Sequence, residues 1–218
     1  MQNDPIAESV MATLLARHPA LAACADKITD AYRILRDSIA QGGTVFVCGN
    51  GGSRADADHI IGELSKGFLL KRKLPAELVE SMSEKLGEDA APLCDRLQMG
   101  MRAMLLDAHP ALSSAYANDV DPVMCYAQQL FVMGRENDVV IGLSTSGNAE
   151  NIRNVFKVAG GRGIKRILFT GNRHGKCEQY ADCVIDVPES ETYKIQELHL
   201  PTYHAICIML EEYFYAGK

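Results

Sequence analysis

Four short runs of nearly unbroken apolar residues recur along the chain: TVFVCG (44–49), RAMLLDA (102–108), DVVIGLS (138–144) and IKRILFTG (164–171). A fifth, CVIDVP, spans 183–188. Continuous rather than alternating hydrophobicity marks strands covered on both faces, as in a parallel sheet. Helical periodicity fills most of the intervals between them. The pattern therefore predicts an α/β fold, a doubly wound three-layer sandwich with a five-stranded parallel sheet.

Two helices are expected before the first strand. Ile6, Val10, Leu14 and Leu15 form one apolar face, and Ile28, Ala31, Ile34, Leu35 and Ile39 form another, stopped by Gly42-Gly43. These residues, 1–41, read as helices whose apolar faces seek a partner, within a single domain of residues 1–218. A long last helix is expected from near Thr192 to Tyr215-Ala216-Gly217. The interval 68–100 is too long for a simple connection. Pro75 at a helix start and apolar spacing at Leu78, Val79, Met82 and Leu86 predict inserted helices there.

Composition narrows the function. The 218 residues are 47% hydrophobic with a formal net charge of −6, and charges of both signs are interspersed. No basic stripe for nucleic acid and no polybasic membrane patch is present. Lys71-Arg72-Lys73, the one short basic run, reads as solvated surface. The N-terminal MQNDPIAESVMATLL lacks the pattern of a signal peptide, and no apolar run approaches the ~20 residues of a membrane span. Seven dispersed cysteines, without paired spacing, suggest reduced thiols and a cytoplasmic protein.

Candidate chemistry lies just past the strands, where open α/β sheets bind ligands. After the first strand, Asn50-Gly51-Gly52-Ser53 lets the backbone approach an anion and leads into a helix N-terminus. That helix carries His59 and Glu63 at i,i+4, a pair suited to holding a metal, serving as a base, or simply bonding to each other. After the third strand, Ser144-Thr145-Ser146-Gly147-Asn148 offers hydroxyls beside a helix N-terminus, which suits a phosphate monoester; N-capping by Ser146 or Asn148 is the plainer use. Asn118-Asp119 precedes a helix expected over 121–133, for which Asp119 is a suitable N-cap. The last helix opens with a dense polar set, Gln196, Glu197, His199 and His204. Thr170-Gly171-Asn172 reads as a turn.

Taken in order, CGNGGS–DADHIIGEL, AND, NDVVIGLSTSGN, FTG and IQELH–YH resemble the sugar isomerase (SIS) domain, and specifically the phosphoheptose isomerases. The likeness covers nearly the whole chain outside 68–100. It implies a flavodoxin-like fold and an aldose–ketose isomerase acting on sedoheptulose 7-phosphate through an enediol(ate). It places sugar-phosphate contacts on Asn50, Gly51, Gly52, Ser53, Asn118, Asp119, Ser144, Thr145 and Ser146. It places Zn²⁺ ligands on His59, Glu63, Gln196 and His204, with Glu63 and His204 as the acid/base pair and Glu63 and Gln196 also facing substrate. His199 falls outside these sets and reads as a core residue. The family also implies a homo-oligomer, a tetramer, with active sites shared between subunits.

This chain departs from the pattern in three places. Ala149 replaces a hydroxyl usual after STSGN, Lys194 replaces an Arg before Ile-Gln, and the 68–100 insertion is extra. Another ketose phosphate, or a non-catalytic SIS protein of the replication-initiator-associating type, is the competing reading. A sugar-phosphate sensor fused to a DNA-binding domain finds no helix-turn-helix segment or basic patch here.

Overall fold

The computed structural model describes residues 4–217; the remainder of the 1–218 domain, 1–3 and 218, lies outside the described residues. Five parallel strands form the sheet: β1 (Val45–Gly49), β2 (Ala103–Leu105), β3 (Val139–Leu143), β4 (Lys165–Gly171) and β5 (Cys183–Val187), in the order β2-β1-β3-β4-β5. All five expected runs become strands. The second is trimmed to three residues at the sheet edge, paired with β1 alone.

Side chains alternate between two apolar layers, as the strand pleat requires. Val45 and Val47 face one layer, shared with α1 (Pro5–Arg17), α2 (Ala25–Ala40), α3 (Gly52–Ser65) and α9 (Thr192–Tyr215). Phe46 and Cys48 face the other, shared with α7 (Cys125–Met133) and α8 (Glu150–Gly161). Because each face is sealed by helices, strand residues of either parity are buried, which explains the unbroken apolar runs.

The N-terminal helices find partners inside the chain. Helix α1 buries Ala7, Met11 and Leu14 and packs on α9, while α2 buries Ile28, Ala31, Tyr32, Leu35 and Ser38 against β5 and α9. The α1 stripe is rotated from the expected Ile6, Val10, Leu14, Leu15 face, and Ile6, Val10 and Leu15 are only partly buried.

The insertion is helical, as the periodicity predicts. Helix α4 (Ala76–Leu86) is followed by a 3-10 turn and the short α5 (Ala90–Cys94). Pro75 is the residue that precedes α4. No residue of α4 is buried, and Leu78, Leu86, Leu93 and Leu97 are exposed. The insertion is anchored at its base: Met99 N donates to Arg72 O, Met101 N to Leu64 O, and Gly67 N to Gln98 Oε1.

Arg72 corrects the reading of the basic run. Lys71 and Lys73 are exposed, but Arg72 is 1% exposed and pairs with buried Glu211 of α9 at 2.8 Å. Glu211 also accepts from the backbone N–H of Phe68, Leu69 and Leu70. Burial pushes its carboxyl upward, and these donors with Arg72 outweigh it, so its pKa lies below the usual carboxylate value. Removing one member of such a pair typically costs ~3–5 kcal/mol, because the other is left buried and unpaired.

A second difference is α6 (Pro110–Asp119), a helix the pattern did not announce. Asp119 sits in its last turn and does not cap the next helix. Asp121 takes that role, accepting from Val123 N at 2.9 Å.

His199 is a core residue, as expected. It is 0% exposed, stacks edge-on against Phe169, and has Nε2 3.3 Å from Thr170 O. Burial pushes its pKa down from 6.5 to about 4 despite that carbonyl. Above pH 6.5 the ring is neutral in both folded and unfolded chains. Between 6.5 and about 4 only the unfolded chain takes up the proton, so stability falls as pH falls. The loss by the lower limit is about 3 kcal/mol. Denaturant unfolding at a series of pH values should show this slope in the wild type and a shallower one in His199→Asn. Parallel slopes would remove His199 as the cause.

Candidate active site

Gly49 of β1 pairs in register with Leu143 of β3, which pairs with Phe169 of β4. The loops that follow β1 and β3 therefore emerge side by side. The strand order reverses between these two strands, and that crevice is where open α/β sheets bind ligands.

In the first loop Gly51 has φ +55°, a conformation that favours glycine, and precedes α3. A Cβ on Gly52 would stand 2.7 Å from Gln196 Nε2, so the bare backbone leaves room for the Gln196 amide where it lies. Ser53, 4% exposed, accepts from Gln196 Nε2 at 3.4 Å. Asn50 forms a reciprocal amide pair with Asn151 of α8: Nδ2 donates to Asn151 Oδ1 at 3.0 Å and Oδ1 accepts from Asn151 Nδ2 at 2.8 Å. Asn151 escaped the sequence reading because only this contact, 101 residues away, distinguishes it.

In the second loop Ser144 is buried, Thr145 half-buried and Ser146 exposed. Ser144 Oγ accepts from Ala149 N at 3.4 Å and Ser146 Oγ from Asn148 N at 3.2 Å. The N-cap of α8 is Ala149, with no side-chain cap bond, so the plain capping use of Ser146 or Asn148 does not hold. The first turn of α8 thus carries free N–H groups beside three hydroxyl residues, an anion-binding arrangement. The loop is braced by 172–177: Cys177 N donates to Gly147 O at 2.8 Å and Lys176 N to Asn148 Oδ1 at 3.1 Å. Gly147, at φ +64°, and Gly175 are so close that a Cβ on either meets the other's backbone at 2.9 Å or less. The stretch after Thr170-Gly171-Asn172 is therefore a brace for this loop, and Lys194 pairs with Glu191 at the head of α9.

Polar chemistry is concentrated where α3 and α9 pack. His59 Nε2 lies 3.2 Å from Glu63 Oε1, and the His59 and His204 rings are 5.0 Å apart edge to face. Tyr203 Oη, another group the sequence did not single out, lies 3.0 Å from His59 Nδ1 and 3.2 Å from Asp56 Oδ1. Tyr203 donates its hydroxyl to the Asp56 carboxylate. Glu63 is 9% exposed, and its Oε2 and His204 Nε2 are buried without a hydrogen-bond partner. Burial, and secondarily the nearby His59, lower the His204 pKa; Glu63 opposes them. The neutral ring is favoured near pH 7.

These atoms bear on a metal. Carboxylate and imidazole donors suit zinc, and two of them are orphaned in this cluster. Among the described residues, no group of three His, Cys, Asp or Glu side chains is gathered closely enough to hold an ion. Gln196 stands apart, at Gly52 and Ser53, while His204 stands at His59. Eight helical residues separate the two, a rise of about 12 Å. Asn118 and Asp119 bond to each other at 2.8 Å and are exposed. Among the described residues they make no hydrogen bond to either glycine-rich loop.

Comparison with known proteins gives the family. Residues 11–91 and 125–211 each match the SIS domain family. A phosphoheptose isomerase of Burkholderia pseudomallei (strain K96243) is 36% identical over 205 residues, 94% of this chain and 89% of that protein. One from Akkermansia muciniphila is 32% identical over 198 residues, 91% of each chain. The solved phosphoheptose isomerase of Neisseria gonorrhoeae superposes with a TM-score of 0.71 at 26% identity, covering 92% of this chain and 94% of that one. The chain belongs to the phosphoheptose isomerase family of SIS-domain proteins.

Proposed function

We propose that this aldose–ketose isomerase converts sedoheptulose 7-phosphate to D-glycero-D-manno-heptose 7-phosphate. The carrying observation is a pair of buried atoms without hydrogen-bond partners beside His59: Glu63 Oε2, with the Lys66 ammonium 3.7 Å away, and His204 Nε2. Isomerisation needs a carboxylate beside carbon and a neutral base beside oxygen, and this pair supplies both.

The Ser144–Asn148 loop and the N-terminus of α8 hold the 7-phosphate, leaving the C1–C2 end for the α3–α9 cluster. Glu63 takes a proton from C1 as the electrons of that C–H bond form the enediolate and charge moves onto the C2 oxygen. His204 receives the O1 proton and delivers one to O2. Glu63 then returns its proton to C2, giving the aldehyde at C1. The site opens beside an exposed His59, so Glu63 exchanges its proton with water between the two transfers.

To hold a zinc ion, His59, Glu63 and His204 would have to draw closer together than they stand here, and Zn²⁺ so held would polarise the sugar carbonyl. Gln196 serves the same kind of site in a neighbouring copy, which makes the enzyme a homo-oligomer, a tetramer by family likeness. Its offset from His204 along α9 supports this reading. No helix of the described residues is long and apolar enough to cross a membrane, and all seven cysteines are free, which supports a cytoplasmic location.

A panel of ketose phosphates, read by product identity, tests the reaction. The seven-carbon substrate should give the aldose, and Glu63→Gln should lose ~10²–10⁴-fold in kcat with an unchanged Tm. Alanine at Ser144, Thr145 and Ser146 together should raise KM more than it lowers kcat. A fully active Glu63→Gln enzyme would require another base.

Metal analysis and chain mixing test the assembly. Protein purified without chelator should carry near-stoichiometric zinc, lost in a His59→Ala/His204→Ala double variant. Oligomers mixed from Glu63→Gln and Gln196→Ala chains should regain activity, because one site in each pair keeps both groups. Equal metal in variant and wild type would sink the ligand set, and exchange of subunits without recovery would place the site within one chain.

A further inference from the structure

We propose that the buried Arg72–Glu211 couple is a positioning device, which sets the spacing of Glu63 and His204 through the helix ends that carry them. The inference rests on the isomerase reading and names residues that reading leaves unused.

The three elements around the reacting groups meet at this one couple. Arg72 Nη2 donates to the carbonyl of Glu63 itself at 2.8 Å, and Nη1 donates to Leu64 O at 2.7 Å. Those are carbonyls of the last turn of α3, which has no helical partner of its own to accept from. Arg72 Nε donates to Glu211 Oε1 at 2.8 Å, seven residues beyond His204 on the same face of α9. The remaining acceptor capacity of Glu211 takes the backbone N–H groups of Phe68, Leu69 and Leu70. That strap places the Phe68 ring against the His204 imidazole, centroids 5.3 Å apart. The guanidinium lies over the Tyr215 ring at 4.9 Å, which fixes its plane.

Glu63 therefore hangs from a backbone held by Arg72, and His204 is walled by a strap held by Glu211. No single-point cation reproduces this. A lysine ammonium can meet Glu211, but it cannot also span two carbonyls in the guanidinium's fixed fork. Loosening the fork lets the last turn of α3 shift, and displacements near 1 Å cost ~10²-fold when reacting groups must be aligned. Among the described residues the Ser144–Asn148 loop shares no hydrogen bond with the couple. Turnover should suffer and phosphate binding should not.

Arg72→Lys tests this, with Glu211→Gln as the second variant should the first fail to fold. The expected result is a tenfold or greater fall in kcat, with KM and the inhibition constant of inorganic phosphate within twofold of wild type. Histidine side-chain NMR gives a reading independent of turnover: the His59 and His204 ring signals should move, while those of His109 and His174 stay. Folded variants with wild-type kcat overturn the proposal, as does a raised KM at constant kcat, which would give the strap a binding role. Unmoved His59 and His204 signals overturn it even if the wild type acts on none of the sugars. Inactivity of the wild type alone sinks the isomerase reading instead.

Discussion

Helix α9 runs alongside α3 in the same direction, and the site depends on that contact. Gln196 meets Gly52 and Ser53, Tyr203 meets Asp56 and His59, and His204 meets His59. At the far end Glu211 reaches Glu63 and Leu64 through Arg72. Successive turns of one helix thus answer successive turns of the other. Gly52 leaves room for the Gln196 amide, and the Arg72 guanidinium holds the carbonyls that end α3. Every proposed catalytic group projects from this seam, so its register decides whether carboxylate and imidazole can act on adjacent atoms.

The sheet separates the two demands of the chemistry. In the proposed reaction phosphate is held at the crevice between β1 and β3, where the Ser144–Asn148 loop is braced by the Gly147–Gly175 contact and the Asn50–Asn151 amide pair, and proton transfer belongs to the α3–α9 seam. Binding energy gained at the distant phosphate can then orient carbons that the enzyme barely touches, which is how remote contacts lower a barrier. Tyr203 adds a further constraint: its hydroxyl, donated to Asp56, stands against Nδ1 of His59 and holds that ring beside Glu63.

The strands and long helices were legible because their burial is local in origin: sheet residues are covered on both faces whatever the partner. His199 was legible as core only through the family resemblance, whose site residues leave it out. Arg72 was not. Its run KRK looks solvated until Glu211, 139 residues on, is brought beside it. Asn151, Tyr203 and Gly175 were hidden likewise, since their meaning lies in contacts across the fold. Asp119 misled because Asp121, two residues later, has equal capping chemistry and the chain is still helical at 119. The apolar spacing of α4 was read correctly as helix, yet it faces outward, and periodicity alone cannot say what covers a stripe.

The central claim is proton transfer between C1 and C2 by a carboxylate at the α3–α9 seam. The fate of deuterium in sedoheptulose 7-phosphate labelled at both C1 positions tests it most directly, followed by NMR as the aldose forms in ordinary water. One deuteron should leave C1, and the hydrogen at C2 of the aldose should be largely protium from the solvent. Quantitative recovery of that deuteron at C2 at all times would mean transfer without solvent exchange, as in a hydride shift, and contradicts the account.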